Sequence, residues 1–297
     1  MSKKASPDRS RDLDQFYTNP VYAKHFLGII QQHLDLSKAD VHLEPSAGSG
    51  NFYNLLDPTK RVGLDLDPQA AGIVAQDFFT WQAPTGSRVI TIGNPPFGKN
   101  SSLAVKFFNH AAKFSDAIAF ILPRTFKKAS IINRLHEKFH LVYEEIVPDD
   151  SFIYKGKPYN VWCCAQIWVK REESREKIEI LNFDTVKQWF KIVDPAQADY
   201  SIQRVGGRAG MIRTENFADY SSQSHYFIKQ HDAKVLDIFR SIDFNDIKHN
   251  TAGNPSISPS ELIKLWIAAA QRAGVEVKVV AKTKSKEKHI LDSLIID

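Results

Sequence analysis

A short polar and aromatic turn follows a strand-like run at residues 88–93. The β-branched residues of this run predict an extended segment, and Pro95 and Pro96 then remove two N–H donors from it. The chain must therefore leave the sheet at Asn94. This leaves the Asn94 amide oxygen and the Pro95 carbonyl as acceptors at the carboxyl end of a strand, where open α/β sheets bind ligands. With the flat ring of Phe97, two acceptors suit a planar heterocycle that carries an exocyclic amine.

This turn resembles the catalytic Asn-Pro-Pro-(Phe or Tyr) motif of S-adenosylmethionine-dependent amino-methyltransferases, above all the N6-adenine methyltransferases. The resemblance implies that Asn94, Pro95, Pro96 and Phe97 are catalytic, with Asn94 and Pro95 orienting the amine and Phe97 stacking on the base. A strand that ends in a simple Pro-Pro turn is the alternative. Because the motif has four residues, the upstream chain must decide between the two.

A second turn lies upstream, where a strand-like run from Val41 leads into two closely spaced glycines. The dinucleotide fingerprint needs a third glycine at position 53, but Tyr53 stands there, which disfavours a nicotinamide cofactor. Glycines here let the backbone approach the amino-acid part of S-adenosylmethionine, and an acid supplies negative charge near its cationic end. The resemblance therefore implies that this turn binds S-adenosylmethionine, through Glu44, Pro45, Ser46, Ala47, Gly48 and Gly50. A plain strand-turn-helix connection is the alternative.

Three further segments match the family in order and spacing. Thr18 belongs to a (Phe or Tyr)-Thr-x-Pro segment that, in the family, precedes a helix and folds over the cofactor. Asp65 ends the second strand-like run, where an acid binds ribose hydroxyls in Rossmann-like folds; Asp67 is interpreted as a turn or helix cap. Asp77 is implied to accept from the adenine amine of the cofactor, and Phe78 to pack on the adenine ring.

Basic residues follow the proposed active site. Residues 99–138 carry eight Lys or Arg against two acids, a balance of +6 in a chain whose formal charge is +5. Such a stretch suits a polyanionic substrate, although a solvated helix face explains any single lysine equally well. The candidate substrate-binding residues come from this stretch, from a hairpin aromatic pair and from a Gly-Arg loop: Lys99, Phe152, Tyr154, Arg204 and Arg208. Hairpin packing and solvated arginines remain open alternatives for the last four.

Over the first half of the chain, segments with helical periodicity alternate with apolar, strand-like segments. This alternation predicts a mostly parallel sheet with helices on both faces. The expected fold is α/β, a Rossmann-like seven-stranded class I methyltransferase sheet with a smaller C-terminal region. We expect residues 1–13 to be disordered, residues 14–170 to form the catalytic domain, and residues 171–297 to recognise the substrate. Cys163 and Cys164, adjacent in a strand-like run, should point to opposite faces and form no disulfide.

Two other classes of function are disfavoured. No apolar run approaches the roughly 18 residues of a membrane span, and the N-terminus lacks the apolar core of a signal peptide, so we expect a cytoplasmic protein without membrane contact. The run from His136 to His140 matches the zinc motif H-E-x-x-H. However, a strand-like run follows His140, so a helix from Ala129 to Phe139 should end between the two histidines, and we expect no metal.

The sequence thus predicts an S-adenosylmethionine-dependent methyltransferase that acts on N6 of adenine in nucleic acid. DNA is the expected substrate, because one subgroup of adenine DNA methyltransferases has the same order of cofactor turn, catalytic motif and C-terminal recognition region. RNA, including cap-proximal adenosine, and the side-chain amide of a protein glutamine are the enzymatic alternatives. A catalytically inactive nucleic-acid-binding relative is the alternative outside enzymes.

Overall fold

A computed structural model of the protein describes residues 16–277. The strands are β1 Tyr17–Thr18, β2 Val41–Glu44, β3 Arg61–Asp65, β4 Val74–Ala75, β5 Val89–Gly93, β6 Ser115–Pro123, β7 Phe139–Ile146, β8 Phe152–Tyr154, β9 Lys157–Tyr159, β10 Cys163–Lys170, β11 Phe190–Ile192, β12 Tyr200–Gln203, β13 Ile212–Arg213 and β14 His225–Gln230. The α-helices are α1 Pro20–His33, α2 Ser102–Ala111, α3 Ala129–Ile132, α4 Lys234–Arg240, α5 Asn245–Lys248 and α6 Pro259–Arg272. The prediction of disorder at residues 1–13 lies outside the described residues.

The chain divides into two compact units. The described part of the first comprises residues 16–180, 205–207 and 245–256, and that of the second comprises residues 181–204, 208–244 and 257–277. Most of the first unit is contiguous, but two short later segments, one of which includes α5, return to it. The functional division at residue 170 remains a prediction.

A seven-stranded sheet of order β4-β3-β2-β5-β6-β10-β7 forms the centre of the first unit. The strands from β4 to β6 run parallel, whereas β10 pairs antiparallel with both β6 and β7. Strand order reverses at the β2–β5 pair, so the carboxyl ends of these neighbours meet at a topological switch point, where such sheets bind ligands. The predicted seven-stranded, Rossmann-like α/β sheet is confirmed.

Apolar residues of the central strands alternate between the two faces of the sheet, as period-2 side chains must. One face packs with Phe107 and Phe108 of α2, and the other packs with Phe26 and Ile30 of α1. The two cysteines follow this alternation, because Cys164 lies in the first cluster and Cys163 in the second, and both are free. The prediction that they face opposite sides is confirmed. Burial raises the pKa of both thiols, so neither is poised as a thiolate.

A separate three-stranded sheet joins the N-terminal segment to the hairpin that follows β7. Its order is β1-β8-β9, all antiparallel, with Thr18 opposite Phe152 and Phe152 opposite Tyr159. Asn19 then caps α1, since its side chain accepts from the Val21 N–H at 2.9 Å and Pro20 occupies the first helical position. The start of α1 and the hairpin are thus fixed together.

The second unit contains an antiparallel sheet of order β11-β14-β12-β13. One face of this sheet packs Phe190 and Tyr200 against Phe239 of α4 and Trp266 of α6. Ser258 begins α6 with a capping box, in which the Ser258 side chain and Glu261 bond reciprocally across the first turn. This unit therefore has its own aromatic core.

One predicted helix is wrong in extent. The helix expected over 129–139 ends at Ile132, because Asn133 bonds through its side chain to both the N–H and the carbonyl of Ile178. His136 then lies in a loop and His140 in β7, where its Nε2 bonds to the Glu173 carbonyl at 2.9 Å. The two histidines are therefore not one turn apart on a helix, as the zinc motif requires.

Candidate functional site

A cavity of about 430 Å³ opens at the carboxyl ends of β2, β3 and β5 in the first unit. This volume is within the range of small-molecule sites. The cavity is lined by Phe16, Tyr17, Thr18, Glu44, Pro45, Ser46, Ala47, Gly48, Ser49, Asn51, Phe52, Asp65, Leu66, Asp67, Gln76, Asp77, Phe78, Phe79, Asn94, Pro96, Leu103 and Phe107. Every predicted cofactor-binding residue except Gly50 is in this set, and so are Asn94 and Pro96 of the predicted catalytic turn.

The turn after β2 is fixed by Asp65 at the end of β3. The Asp65 Oδ2 accepts from the Gly48 N–H at 2.7 Å, and its Oδ1 accepts from the Asp67 N–H at 2.9 Å. Gly48 has a φ of +46°, and a Cβ at this position would lie 2.8 Å from a ring carbon of Tyr17. The turn therefore requires glycine both for its backbone conformation and for the close approach of Tyr17. Each Asp65 oxygen retains a further lone pair for a ligand.

Glu44 is a buried acid in the cavity wall. It is 3% exposed, and its Oε2 accepts from the Tyr53 N–H at 2.6 Å. Burial raises the pKa of Glu44 well above its usual range, the Tyr53 hydrogen bond lowers it, and the charge of Asp65 raises it further. The pKa of Tyr17 is also raised, first by burial and then by Asp65 and Asp67. Asp65 and Asp67 give the cavity a negative potential that favours a cationic ligand, and a cation beside Glu44 would favour the ionised form of that acid.

The free edge of β1 is bonded to two asparagine side chains from the loops of the central sheet. The Thr18 carbonyl accepts from Asn51 Nδ2 at 2.6 Å, and the Phe16 carbonyl accepts from Asn94 Nδ2 at 3.0 Å. Residues two apart in an extended segment point their carbonyls to the same side, which explains why both bonds form along one edge. The segment that was predicted to cover the cofactor therefore forms one wall of the cavity.

Asn94 has one amide atom engaged and one without a partner. Because the Phe16 carbonyl can only accept, the Asn94 atom that faces it must be the NH2 group, which settles the orientation of the amide. The Asn94 Oδ1 is consequently left buried with no hydrogen-bond partner. Its own backbone carbonyl accepts from the Ser46 hydroxyl at 3.1 Å, which ties the turn after β5 to the turn after β2. Since most buried polar atoms are paired, this acceptor is a candidate contact for a ligand.

Pro95 and Phe97 of the predicted catalytic turn pack against the protein core rather than lining the cavity. Pro95 is buried, and Phe97 is half-buried and packs against the core clusters of both sheet faces, outside the cavity lining. The Phe97 carbonyl accepts from the Leu103 N–H at 3.2 Å and so starts α2. Gly98 follows with a φ of +65°, and a Cβ there would lie 2.7 Å from the Cβ of Leu103. A base that stacks on Phe97 must approach it from beyond this cavity.

Asp77 and the two following phenylalanines form another wall. Asp77 is exposed and caps a short 3₁₀ turn, since its Oδ1 accepts from the Phe79 N–H at 2.9 Å. Phe78 is 2% exposed and packs edge-on against His110, whereas Phe79 is 38% exposed and also lines the cavity. The more accessible ring beside Asp77 is therefore Phe79.

None of the five predicted substrate-binding residues lines the cavity. Phe152 is 1% exposed within the core that faces α1, so its ring is not accessible to a base in this conformation. Tyr154 is half-buried, and Lys99 is exposed. In the second unit, the Arg204 guanidinium lies 5.0 Å from the centroid of the Tyr226 ring, and Arg208 is exposed. Both arginines belong to the connection between β12 and β13, which pair as a hairpin.

Several cavity residues were missed by the sequence analysis. Tyr17 is the first residue of the motif that contains Thr18, and Phe16 directly precedes that motif. Asn51 directly follows Gly50, and Phe79 follows Phe78. Because each of these residues is adjacent in the sequence to a predicted site residue or motif, adjacency could have identified them. Another two missed residues, Leu103 and Phe107, are four apart on α2, and helical periodicity alone places them on a core face without showing that this face reaches the cavity.

No protein-family model matches the chain, and no curated protein is significantly similar to it. Solved structures share its fold at low identity. A provisionally classified RNA methyltransferase from Pyrococcus horikoshii is 17% identical, with a TM-score of 0.44, over 56% of this chain and 92% of its own. The 23S rRNA methyltransferase ErmE is 16% identical, with a TM-score of 0.38, over 55% of this chain and 72% of its own. Magnesium protoporphyrin IX methyltransferase from Synechocystis PCC 6803, solved with bound SAM, is 9% identical, with a TM-score of 0.35, over 57% of this chain and 87% of its own.

Two features are missing from residues 16–277. In this range, no helix combines the length and the apolar character needed to cross a bilayer. Also within it, no group of three or more His, Cys, Asp or Glu side chains is placed to hold a metal ion.

Proposed function

We propose that this protein is an S-adenosylmethionine-dependent methyltransferase that methylates the exocyclic N6 amine of adenine in nucleic acid, with DNA as the expected substrate. The observation that carries the proposal is the unpaired Oδ1 of Asn94, a residue that lines the cavity. An acceptor at the carboxyl end of β5 is what a planar amine requires, and the amide orientation leaves this oxygen, rather than the NH2 group, for the ligand.

Asn94 would act by accepting a hydrogen bond that strengthens during the reaction. An aromatic amine has its lone pair delocalised into the ring, and acceptors on its hydrogens favour the pyramidal form in which that lone pair is available. When bound, S-adenosylmethionine would supply a methyl carbon on a sulfonium, with the thioether as the leaving group. The amine nitrogen then becomes positive and sheds one proton, so an acceptor at Asn94 stabilises the transition state more than the ground state. A strong general base is unnecessary because the proton leaves only after the nitrogen becomes cationic.

The cavity residues fit the cofactor group by group. Asp65 provides a negative potential that suits a cationic sulfonium and ammonium, and such a cation would favour the ionised form of Glu44, whose pKa is raised by burial. The remaining lone pairs of Asp65 suit ribose hydroxyls, as an acid does at this position in Rossmann-like folds. Asp77 has a carboxylate oxygen outside its cap for the adenine amine, and Phe78 and Phe79 offer apolar surface to the adenine ring.

The nucleic acid would be held by cationic and aromatic residues contributed by each of the two units. Lys99, Arg204 and Arg208 are proposed to contact phosphates, and Tyr154 is the more accessible of the two hairpin candidates for stacking on a base. Flipping a base out of a duplex costs a few kcal/mol, and stacking on an aromatic ring returns about 1–3 kcal/mol. Phe152 could take part only if the hairpin rearranged.

One experiment tests the proposal against its rivals. The protein is incubated with S-adenosylmethionine that carries a labelled methyl group and, separately, with duplex DNA, single-stranded DNA, RNA and a protein extract. We expect label in DNA. Label confined to RNA would change the substrate but keep the chemistry, label in protein would favour the glutamine amide, and cofactor binding without label in any arm would favour an inactive relative.

A further inference from the structure

Three aromatic rings pack together on the β1-β8-β9 sheet, and one of them belongs to Phe16, whose carbonyl bonds to Asn94. The Phe16 and Tyr159 rings are parallel, with centroids 4.9 Å apart and an interplanar angle of 8°. Tyr154 contacts both at an angle of 55°, with centroids 5.7 Å from Phe16 and 5.5 Å from Tyr159. Because side chains alternate along strands and Thr18, Phe152 and Tyr159 lie opposite one another, these rings share one face of the sheet. Such cross-strand aromatic contacts stabilise a sheet.

Phe16 is the link between this ring cluster and the catalytic turn. Strand pairing of β1 begins at Tyr17, opposite Ile153, so Phe16 itself is outside the paired segment. Its ring contacts Tyr154 and Tyr159 and packs on the core that faces α1, and its carbonyl accepts from Asn94 Nδ2. The position of the Phe16 carbonyl therefore depends on side-chain packing rather than on a ladder of backbone bonds.

We propose that Tyr159 is a positioning residue for Asn94, because it fixes Phe16, whose carbonyl in turn directs the Asn94 amide so that Oδ1 is the free acceptor. If Phe16 were free to move, the Asn94 amide could rotate and present its NH2 group, a donor, to an amine that also donates. The expected effect of Tyr159 on the methylation rate rests on the proposed function. The proposed effect of Tyr159 on the positions of Phe16 and Asn94 does not.

Tyr159 does more than fill a core. The Tyr159 side chain is 39% exposed, and its ring stacks on the ring of Phe16. Phe152, which lies opposite Tyr159, is instead buried in the core. The contact uses the ring face, so phenylalanine at this position should serve nearly as well. Lys157, two residues earlier in the same strand and exposed, provides a matched control for changes in the hairpin.

The kinetic test measures single-turnover methyl transfer at saturating cofactor and nucleic acid. Tyr159→Ala should lose roughly tenfold to a hundredfold in rate, as is common when a reacting group is misplaced by a fraction of an ångström to 1 Å. Tyr159→Phe and Lys157→Ala should keep nearly the wild-type rate and cofactor affinity. Because Phe16 lines the cavity, Tyr159→Ala is compared at saturating cofactor, where its rate should stay low. If Tyr159→Ala weakens nucleic-acid binding but reaches the wild-type rate at saturation, Tyr159 is a substrate contact and the proposal is wrong.

A second readout does not depend on activity. The side-chain NH2 resonances of Asn94 can be assigned by their loss in Asn94→Ala, and one proton should carry the downfield shift and slow exchange of a hydrogen bond. Tyr159→Ala should move that proton towards the position of solvated amides, and Tyr159→Phe should not. Unchanged resonances in a folded Tyr159→Ala would overturn the proposal. A shifted resonance in a protein that methylates no nucleic acid would support the positioning role and reject the proposed function instead.

Discussion

Two turns follow neighbouring parallel strands, and their polar groups are arranged differently. In the turn after β2, Asp65 already accepts two backbone N–H groups and Glu44 accepts one. In the turn after β5, the Asn94 amide donates to Phe16 but its oxygen has no partner. The first turn is held in shape before any ligand arrives, whereas the second leaves one acceptor unpaired.

This difference separates binding from chemistry. Groups that are preorganised and already paired give affinity with little reorganisation on binding. An acceptor without a partner costs stability until a donor reaches it, and it helps catalysis when the partner becomes positive in the transition state. Variants of the first turn should therefore change cofactor affinity, and variants of the second should change turnover.

The largest expected effect is that of Asn94→Ala. The variant should bind S-adenosylmethionine nearly as the wild type does and lose on the order of a hundredfold or more in single-turnover rate, by analogy with removal of one preorganised polar group. Calorimetry, single-turnover transfer and the melting temperature are measured together. If Asn94 were only the polar end of a Pro-Pro turn, the melting temperature would fall and methyl transfer would remain.

Asp65→Ala should have the next largest effect, on affinity. Charge-assisted hydrogen bonds to ribose are worth about 1.5–3 kcal/mol each, so the loss of even one predicts a cofactor Kd at least tenfold higher. Because Asp65 also bonds to Gly48 and Asp67, some stability is lost as well. Asp57→Ala is the matched control, since Asp57 caps a turn through Thr59 outside the cavity lining. An unchanged Kd in Asp65→Ala would remove this residue from the site.

Gly48→Ala should weaken cofactor binding by a smaller factor, about tenfold. Alanine at positive φ costs roughly 1–2 kcal/mol, and its Cβ would also displace the Tyr17 ring from the cavity wall. Gly86→Ala separates the two causes, because Gly86 has a φ of +76° with open space around it. Gly86→Ala should lower the melting temperature but leave cofactor affinity unchanged. Equal affinities in both variants would contradict the role of the turn.

The smallest effect concerns Glu44 and pH. The pKa of Glu44 is higher in the folded protein than its ordinary value of 4.5. Its contribution to the stability of the folded state is therefore complete below about pH 4.5 and is lost as the pH rises through the pKa of the folded protein. Glu44→Gln keeps an acceptor for the Tyr53 N–H without a charge. The free energy of unfolding of the variant relative to the wild type should therefore increase from pH 4 to pH 8. A difference that does not change with pH would indicate that Glu44 is not desolvated.

Much of the first unit follows from local sequence. The strands at Val41, Arg61 and Val89 begin where β-branched and apolar residues predicted them, and the Asn19-Pro20 and Ser258-Pro259 pairs start their helices as capping rules require. The seven-stranded sheet could be predicted because its motifs lie at strand ends in a fixed order. These features depend on residues within a few positions of one another.

The remaining features depend on contacts between distant segments. Alternation showed that Phe152 and Tyr154 share a face of β8, but it did not show that α1 covers the first and not the second. The helix at Ala129 ends early because Asn133 finds a partner in Ile178, 45 residues away. Similarly, the partner of Asn94 is the carbonyl of Phe16, 78 residues upstream. Local patterns do not encode such pairings.

The most direct test of the central claim is to identify the atom that receives the methyl group. Nucleic acid methylated by the wild-type protein is digested to nucleosides, which are separated and compared with standards by mass spectrometry. The account predicts N6-methyladenine as the labelled product, as its deoxynucleoside if DNA is the substrate. A methyl group on a ring nitrogen, a ring carbon or a ribose oxygen would contradict it, because none of these sites presents the exocyclic NH2 that the Asn94 acceptor is proposed to hold.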